Sequence, residues 1–411
     1  MQHLHIYKSN PTVQTTIQLP ASKSESNRAL IIQALSEEEI TLRNLSEARD
    51  TQTMQRLLQS NEPELDVLDA GTTMRFLIAY CTARKPGKII KGTPRMHQRP
   101  VRILVDALRE IGADIQYLQE EGYPPVHVRG MTLDQSMKHV QMRGDVSSQY
   151  ISALLMIAPT FDHGLLLELV GKIGSRPYIN MTLSLMQQFG VAPIWENERA
   201  IRVEPSEYLS GNYTIESDWS GASYWYSFMA LAEQGELVLK GLRKDSFQGD
   251  QAIVKIMENL GVHTQFEAEG VRLSKQGEKR PFSYDFSDCP DLAQTVAVAC
   301  AATGVPCTML GLESLRIKET DRIAALQTEL TKIGAKLSEE DERWNLVPSA
   351  KEVWPEKLLI ETYDDHRMAM AFAPLVMKSP LMIENPEVVN KSYPRFWENL
   401  QQAGVETTGR E

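Results

Sequence analysis

Between Ser22 and Arg28 the chain reads SKSESNR. Two cations, Lys23 and Arg28, and three serines crowd the point where an extended segment gives way to the apolar run ALII. Backbone N–H groups at a helix start, hydroxyls and cations together suit an oxyanion such as phosphate or carboxylate. Lys23 would act there as a mobile point charge and Arg28 as a planar fork. A serine cap on an exposed helix, with both cations solvated, would read the same way.

Comparable turns recur. DAGTTMRF sets Gly71 before an apolar run, where the missing side chain permits close approach to a ligand. PRMHQRP carries Arg95 and Arg99. GDVSSQY offers Ser147, Ser148 and Gln149, and GSRPYINM offers Ser175, Arg176 and Tyr178. Further along, Asp291 stands at the opening of an apolar helix, a common place for Asp on dipole grounds alone. KETDR places Lys318, Glu319, Asp321 and Arg322 together, and on one helix Lys318 and Arg322 would share a face. His366 and Arg367 precede a run so apolar that it must be buried, where charges need partners or a ligand. Lys391 precedes the last helix. Taken singly, each reads as a cap or a solvated face. Together they share one geometry, with polar or cationic groups at helix amino ends, and if those ends converge they line an anion site.

Repeated units would position them. Helix-spaced apolar stretches end at Gly112, Gly190, Gly261, Gly334 and Gly404, at intervals of 70 to 78 residues. The glycine suits the position after a helix, where φ is positive. After each of the first four come an extended stretch, a polar turn and a second strand. The helix DTQTMQRLLQ reads as a sixth copy whose hairpin is shortened or lost. Units of this length predict α/β modules grouped into globular domains rather than a thin solenoid. The run Trp225, Tyr226, Phe228 predicts core, and the preceding Glu216–Ser220 segment a crossing between domains.

Length and charge bound the alternatives. At 411 residues, more than one core is expected. The net charge of −11 argues against nucleic acid as a partner, although a local cation cluster can still bind a small anion. Cys81, Cys289, Cys300 and Cys307 form no CxxC pair, which predicts buried thiols and no metal site. No stretch has the length and hydropathy of a membrane span, and the amino-terminal residues lack an apolar signal core, so a cytoplasmic protein is expected.

The series PASKSESNRAL, AGTTMR, RMHQRP, VSSQYISALLM, FQGD, CPDLAQT, RIKETDRI, DDHRMAMAF and KSYPRFW resembles, in order and over almost the whole chain, the 5-enolpyruvylshikimate-3-phosphate synthase family. The resemblance implies the enolpyruvyl transferase fold: an α/β (α+β) chain in two similar domains, each of three βαβαββ-type repeats, with an interdomain cleft. It implies residues 1–20 plus 217–411 as one domain and 21–216 as the other, with crossings near 20–21 and 216–220.

It also implies transfer of the enolpyruvyl group of phosphoenolpyruvate to the 5-hydroxyl of shikimate 3-phosphate, by a cytoplasmic monomer without cofactor or metal. Shikimate 3-phosphate would meet Lys23, Ser24, Arg28, Ser147, Ser148, Gln149, Ser175, Tyr178, Asp291, Ser314 and Lys318. Phosphoenolpyruvate would meet Lys23, Gly71, Arg99, Gln149, Arg322, His366, Arg367 and Lys391. Addition and elimination need proton transfer in opposite directions, and Asp291, Glu319 and Lys23 are the expected catalytic groups. Asp69 and Ser314 stand where the family usually has Asn; a carboxylate at 69 would oppose an anion unless a cation such as Arg75 paired with it. The related UDP-N-acetylglucosamine enolpyruvyl transferases carry a reactive loop cysteine, and this chain has none between Cys81 and Cys289. A non-catalytic anion-binding protein of the same fold would not need Asp291 and Glu319, and both are present.

Overall fold

The computed structural model describes residues 2–132, 138–349, 354–356 and 358–410. The chain forms two compact units, residues 23–215 and residues 1–22 with 216–411. In the first unit lie helices α1 (Lys23–Leu35), α2 (Arg49–Gln59), α3 (Gly71–Ala83), α4 (Arg102–Glu110), α5 (Ser148–Ile157) and α6 (Arg176–Gln188). The second contains α7 (Trp219–Leu231), α8 (Ile253–Glu258), α9 (Ala293–Thr303), α10 (Arg322–Lys332), α11 (His366–Phe372) and α12 (Phe396–Gln402).

One sheet topology repeats. Thr12–Gln18 runs parallel to Gln234–Lys240, which pairs antiparallel with Gly270–Lys275, itself antiparallel to Val262–Glu267. Phe282–Asp285, Cys307–Leu310, Arg343–Val347 and Lys336–Glu340 repeat that order. The third sheet of this unit joins Leu358–Ile360 and Leu381–Glu384 to His3–Tyr7 and Glu406–Arg410, so an amino-terminal strand supplies the place that a hairpin strand fills elsewhere.

In the other unit, Glu64–Asp66, Lys88–Lys91, Val126–Met131 and Ala113–Tyr117 keep the pattern. So do Lys138–Arg143, Leu165–Val170, Ala200–Val203 and Ile194–Trp195. Its remaining sheet has two strands, Ile40–Arg43 and Gly211–Thr214. The hairpin expected to be shortened or lost after α2 is missing there, and the next strand, Glu64–Asp66, belongs to the neighbouring sheet. The repeat glycines 112, 190, 261, 334 and 404 all have φ between 76° and 105°.

Burial sorts the helices. All thirteen residues of α7 and all seven of α11 are buried, as is most of α9. These three pack on one another, and α1, α3 and α5 do the same in the other unit. A helix apolar on every face belongs inside a layer rather than on it. Trp225, Tyr226 and Phe228 lie in this core, each 1% exposed or less. The polar groups at the starts of these buried helices are thereby held by rigid elements.

The segments at which the chain changes unit are tied to each other. Ala21 forms an antiparallel bridge with Ser217, Ser22 N donates to Glu216 O at 2.8 Å, and Asp218 N donates to Pro20 O at 2.9 Å. The Glu216 carboxylate accepts from Trp219 Nε1 (2.8 Å), Arg243 N (2.7 Å), Ser246 Oγ (2.5 Å) and Gln248 Nε2 (3.0 Å). All four cysteines are buried thiols. Among the described residues, no helix is long and apolar enough to cross a membrane.

Candidate active site

In the unit of residues 23–215, α1 begins at Lys23, whose Nζ lies 3.2 Å from Asp50 Oδ2. Arg28, one and a half turns further, is buried. Its Nε donates to Thr182 Oγ1 at 2.7 Å, Nη1 to Ser24 O at 2.9 Å and Nη2 to Ser152 Oγ at 3.1 Å. Its guanidinium stands 5.5 Å from the Phe76 ring and 5.8 Å from the Tyr178 ring. Burial lowers it to about 10, so it stays charged at neutral pH. Ser147 caps α5 and accepts from Gln149 N at 3.4 Å. Ser175 precedes α6 at φ 54°, a left-handed conformation that is costly for serine, and its side chain does not cap the helix.

Gly71 opens α3, and the Arg99 guanidinium lies against it: a Cβ there would stand 2.6 Å from Nη1. Gln149 ties this corner to α5, accepting from Arg75 Nη1 at 2.7 Å and donating to Thr72 Oγ1 at 2.9 Å. Since α5 also holds Ser152 against Arg28, polar contacts join α5 to both α1 and α3. Asp69 is paired with a cation, Arg49, at 3.0 and 2.9 Å. Arg75 turns inward instead, donating to Gln149 and to Gly71 O.

The other unit gathers the remaining charges. Arg322 is 1% exposed. Its Nε and Nη2 donate to Asp365 (2.7 and 3.3 Å), Nη1 to Asp291 Oδ1 (3.2 Å) and Nη2 also to Glu319 Oε2 (2.8 Å). Arg367 Nη2 donates to Asp291 Oδ2 at 2.8 Å, and its Nη1 to Ser220 Oγ at 2.6 Å. Lys391 Nζ lies 3.6 Å from Glu319 Oε1, and His366 Nδ1 3.7 Å from Asp365 Oδ1. Asp291 thus bridges two guanidiniums. Burial alone would raise its carboxyl, but Arg367, Lys318 and Arg322 outweigh that and hold it well below the usual range. The Lys318 ammonium is lowered by burial, against the pull of Asp291.

Two local expectations are corrected. Lys318 and Arg322 do not share a helix face: Asp321 caps α10 by accepting from Ile323 N and Ala324 N, so the helix begins at Arg322, while Lys318 follows the 3-10 turn Glu313–Ile317. Asp291 sits on a 3-10 turn ahead of α9, which starts at Ala293. Ser314 lies exposed on its turn. Sequence reasoning missed Asp365, a fully buried helix cap that holds Arg322 and also accepts from Arg367 N at 2.9 Å. The adjacent acids of YDDHR were its signal. It also missed Ser220, Asp50, Ser152 and Thr182, short polar residues that only the fold brings beside cations.

A family model described as EPSP synthase (3-phosphoshikimate 1-carboxyvinyltransferase) matches residues 8–65 and 58–400. The chain belongs to this family. It is 48% identical over 397 residues to the 3-phosphoshikimate 1-carboxyvinyltransferase of Bacteroides fragilis strain YCH46, covering 95% of this chain and 96% of that one. The protein of the same name from Neisseria meningitidis serogroup B is 35% identical over 413 residues, covering 93% and 94%. The fold is that of the EPSP synthase of Acinetobacter baumannii, with a TM-score of 0.81 at 20% identity over 99% of this chain and 100% of that one.

Within that family, the arrangement in each unit has a plain chemical use. Fixed guanidiniums and ammoniums can hold carboxylate and phosphate and stabilise charge as it moves between them. Asp291 and Glu319 are two carboxylates that share Arg322.

Proposed function

We propose that this chain transfers the enolpyruvyl group of phosphoenolpyruvate to the 5-hydroxyl of shikimate 3-phosphate. The hydroxyl oxygen attacks C2 while C3 gains a proton, and the tetrahedral adduct then loses a C3 proton and expels phosphate from C2. The products are 5-enolpyruvylshikimate 3-phosphate and inorganic phosphate. The observation that carries the reading is Asp291 held ionised between Arg322 and Arg367 in a chain of this family.

In this reading Lys23, Ser24, Arg28, Ser147, Ser148, Gln149, Ser175 and Tyr178 receive shikimate 3-phosphate, with Ser314, Lys318 and Asp291. Lys23, Gly71, Arg99, Gln149, Arg322, His366, Arg367 and Lys391 receive phosphoenolpyruvate. The substrate carboxylate competes with Asp291 and Glu319 for the arginines. A carboxylate that surrenders a guanidinium becomes more basic, which readies Asp291 to take the hydroxyl proton and Glu319 to exchange a proton at C3. Lys23 neutralises phosphate charge. The protein works as a cytoplasmic monomer on these two small molecules.

The test is to mix purified protein with both substrates and follow phosphate and 5-enolpyruvylshikimate 3-phosphate. Formation of both in equal amounts is expected. Phosphate release that does not require shikimate 3-phosphate, or no release at all, overturns the reading.

A further inference from the structure

The turn that leads into α11 is held in a conformation that one of its residues disfavours. Asp365 N donates to Thr362 O at 2.8 Å, and the two residues between them, Tyr363 and Asp364, have φ of 54° and 55°. Positive φ at both central positions is the pattern of a type I′ turn, where glycine and asparagine are at ease. Aspartate tolerates it, whereas a bulky aromatic residue is strained there. Tyrosine at this place needs something outside the turn to hold it.

Glu329 supplies that hold. It is fully buried on α10, and its Oε1 accepts from the Tyr363 hydroxyl at 2.8 Å. Its Oε2 accepts from Glu361 N at 3.3 Å and lies 2.8 Å from Lys332 Nζ. Asn385 Nδ2 also donates to the turn, reaching Asp364 Oδ1 at 2.8 Å.

Glu329 follows Arg322 by about two turns of α10, so the two share a face. The segment 361–365 is bonded to both, to Glu329 through Tyr363 and to Arg322 through Asp365. Asp365 also accepts from Arg367 N at the start of α11. One short turn thus sets a buried carboxylate against the side chain of one arginine and the backbone of the other.

We infer that Glu329 and Tyr363 are positioning residues for enolpyruvyl transfer: their hydrogen bond holds the 362–365 turn left-handed and so sets Asp365, and with it Arg322 and Arg367, where phosphoenolpyruvate is received. The inference rests on the assignment of both arginines to that substrate. Glycine would make the same turn without strain, and packing alone would not need the hydroxyl. What the tyrosine adds is the bond to Glu329, and what that bond fixes is the place of Asp365. If the turn relaxed, Asp365 would draw away from Arg322 and the guanidinium would turn with it.

The experiment compares the native chain, Tyr363→Phe, and Tyr363→Phe combined with Asp364→Gly. Phenylalanine keeps the ring and removes the bond to Glu329. Glycine eases the left-handed turn without restoring that bond. Amide hydrogen exchange over residues 361–368 is measured beside kcat and KM for each substrate. In Tyr363→Phe, exchange at Asp365 and Arg367 is expected to be about tenfold faster than native. KM for phosphoenolpyruvate should rise by about tenfold, with KM for shikimate 3-phosphate within about twofold of native. The added glycine should recover most of both effects. Native exchange in Tyr363→Phe overturns the hold of Glu329 on the turn. Faster exchange with a native KM for phosphoenolpyruvate, or with an equal rise for both substrates, overturns the positioning role. Effects that glycine leaves unchanged overturn the left-handed turn as the link. A native chain that releases no phosphate overturns the enolpyruvyl-transfer reading itself, while the exchange comparison still decides whether Glu329 holds the turn.

Discussion

Arg99 rests against Gly71 so closely that a methyl group on the glycine would lie 2.6 Å from Nη1 and 2.8 Å from Cζ and Nη2. The obstacle is the whole guanidinium plane, so Gly71→Ala must displace it by several tenths of an ångström. The proposed function gives this fork to phosphoenolpyruvate, and misplacing it on that scale is expected to cost catalysis without unfolding the chain. KM for phosphoenolpyruvate is expected to rise by about tenfold or more, while KM for shikimate 3-phosphate changes little. Steady-state kinetics with each substrate varied in turn decides it; an alanine variant with native KM would show that Arg99 is not needed where it stands.

Asp291 is both a partner of two arginines and the expected base. Asp291→Asn keeps the shape and removes the basicity, so turnover should fall by roughly 10²–10⁴ while shikimate 3-phosphate still binds. Calorimetric binding alongside phosphate release separates the two effects. The same carboxyl has a pH signature. Its folded-state pKa is depressed, so it contributes stability that is complete above the ordinary carboxylate range. That contribution is lost only as pH falls through and below that range, and acid denaturation of Asp291→Asn should show a correspondingly shallower loss in this window.

Arg28 binds Thr182, Ser152 and Ser24 O with three different nitrogens. Lysine carries the same charge but cannot match three directions from one ammonium. Arg28→Lys should cost about 2 kcal/mol. In a domain of this size that lowers Tm by roughly 4–8 °C. Calorimetry checks the stability, and a KM for shikimate 3-phosphate that stays native would remove Arg28 from that substrate's contacts.

Glu216 accepts from four donors around the second crossing. Glu216→Ala strands the Trp219 indole N–H and takes one of the two acceptors of the Gln248 amide in a buried site. A loss of about 2–4 kcal/mol in urea denaturation is expected, from the desolvation of donors left without acceptors. Glu216→Gln should recover part of it, because one oxygen remains.

Much of this was legible in the sequence because it depends on local rules. The repeat glycines 112, 190, 261, 334 and 404 all occupy the left-handed position that follows a helix. The hairpin missing after α2 shows as a sequence too short to contain it. The aromatic run of α7, expected in the core from its apolar character, lies there. What the sequence hid is long-range pairing. Nothing near Asp69 names Arg49 over Arg75, and the choice follows from the way α3 turns Arg75 toward Gln149. Asp365 was overlooked because a capping aspartate is ordinary, and only burial beside Arg322 gives it another use. The KETDR cluster reads as one helix until Asp321 is seen to start a new one.

The strand His3–Tyr7 has a timing problem that its neighbours lack. Tyr7 faces a partner, Glu406, that follows it by 399 residues, and the strand Leu381–Glu384 on its other edge is almost as distant. At ordinary translation rates a strand must wait roughly 20–80 s for a partner so far along the chain. Its sheet closes only once Glu406–Arg410 has been made, so the unit that bears the arginine cluster depends on strands some 400 residues apart. Joining these two strands through a short loop and opening the chain at an exposed turn elsewhere would abolish the wait, and such a rearranged molecule should refold faster to the same structure.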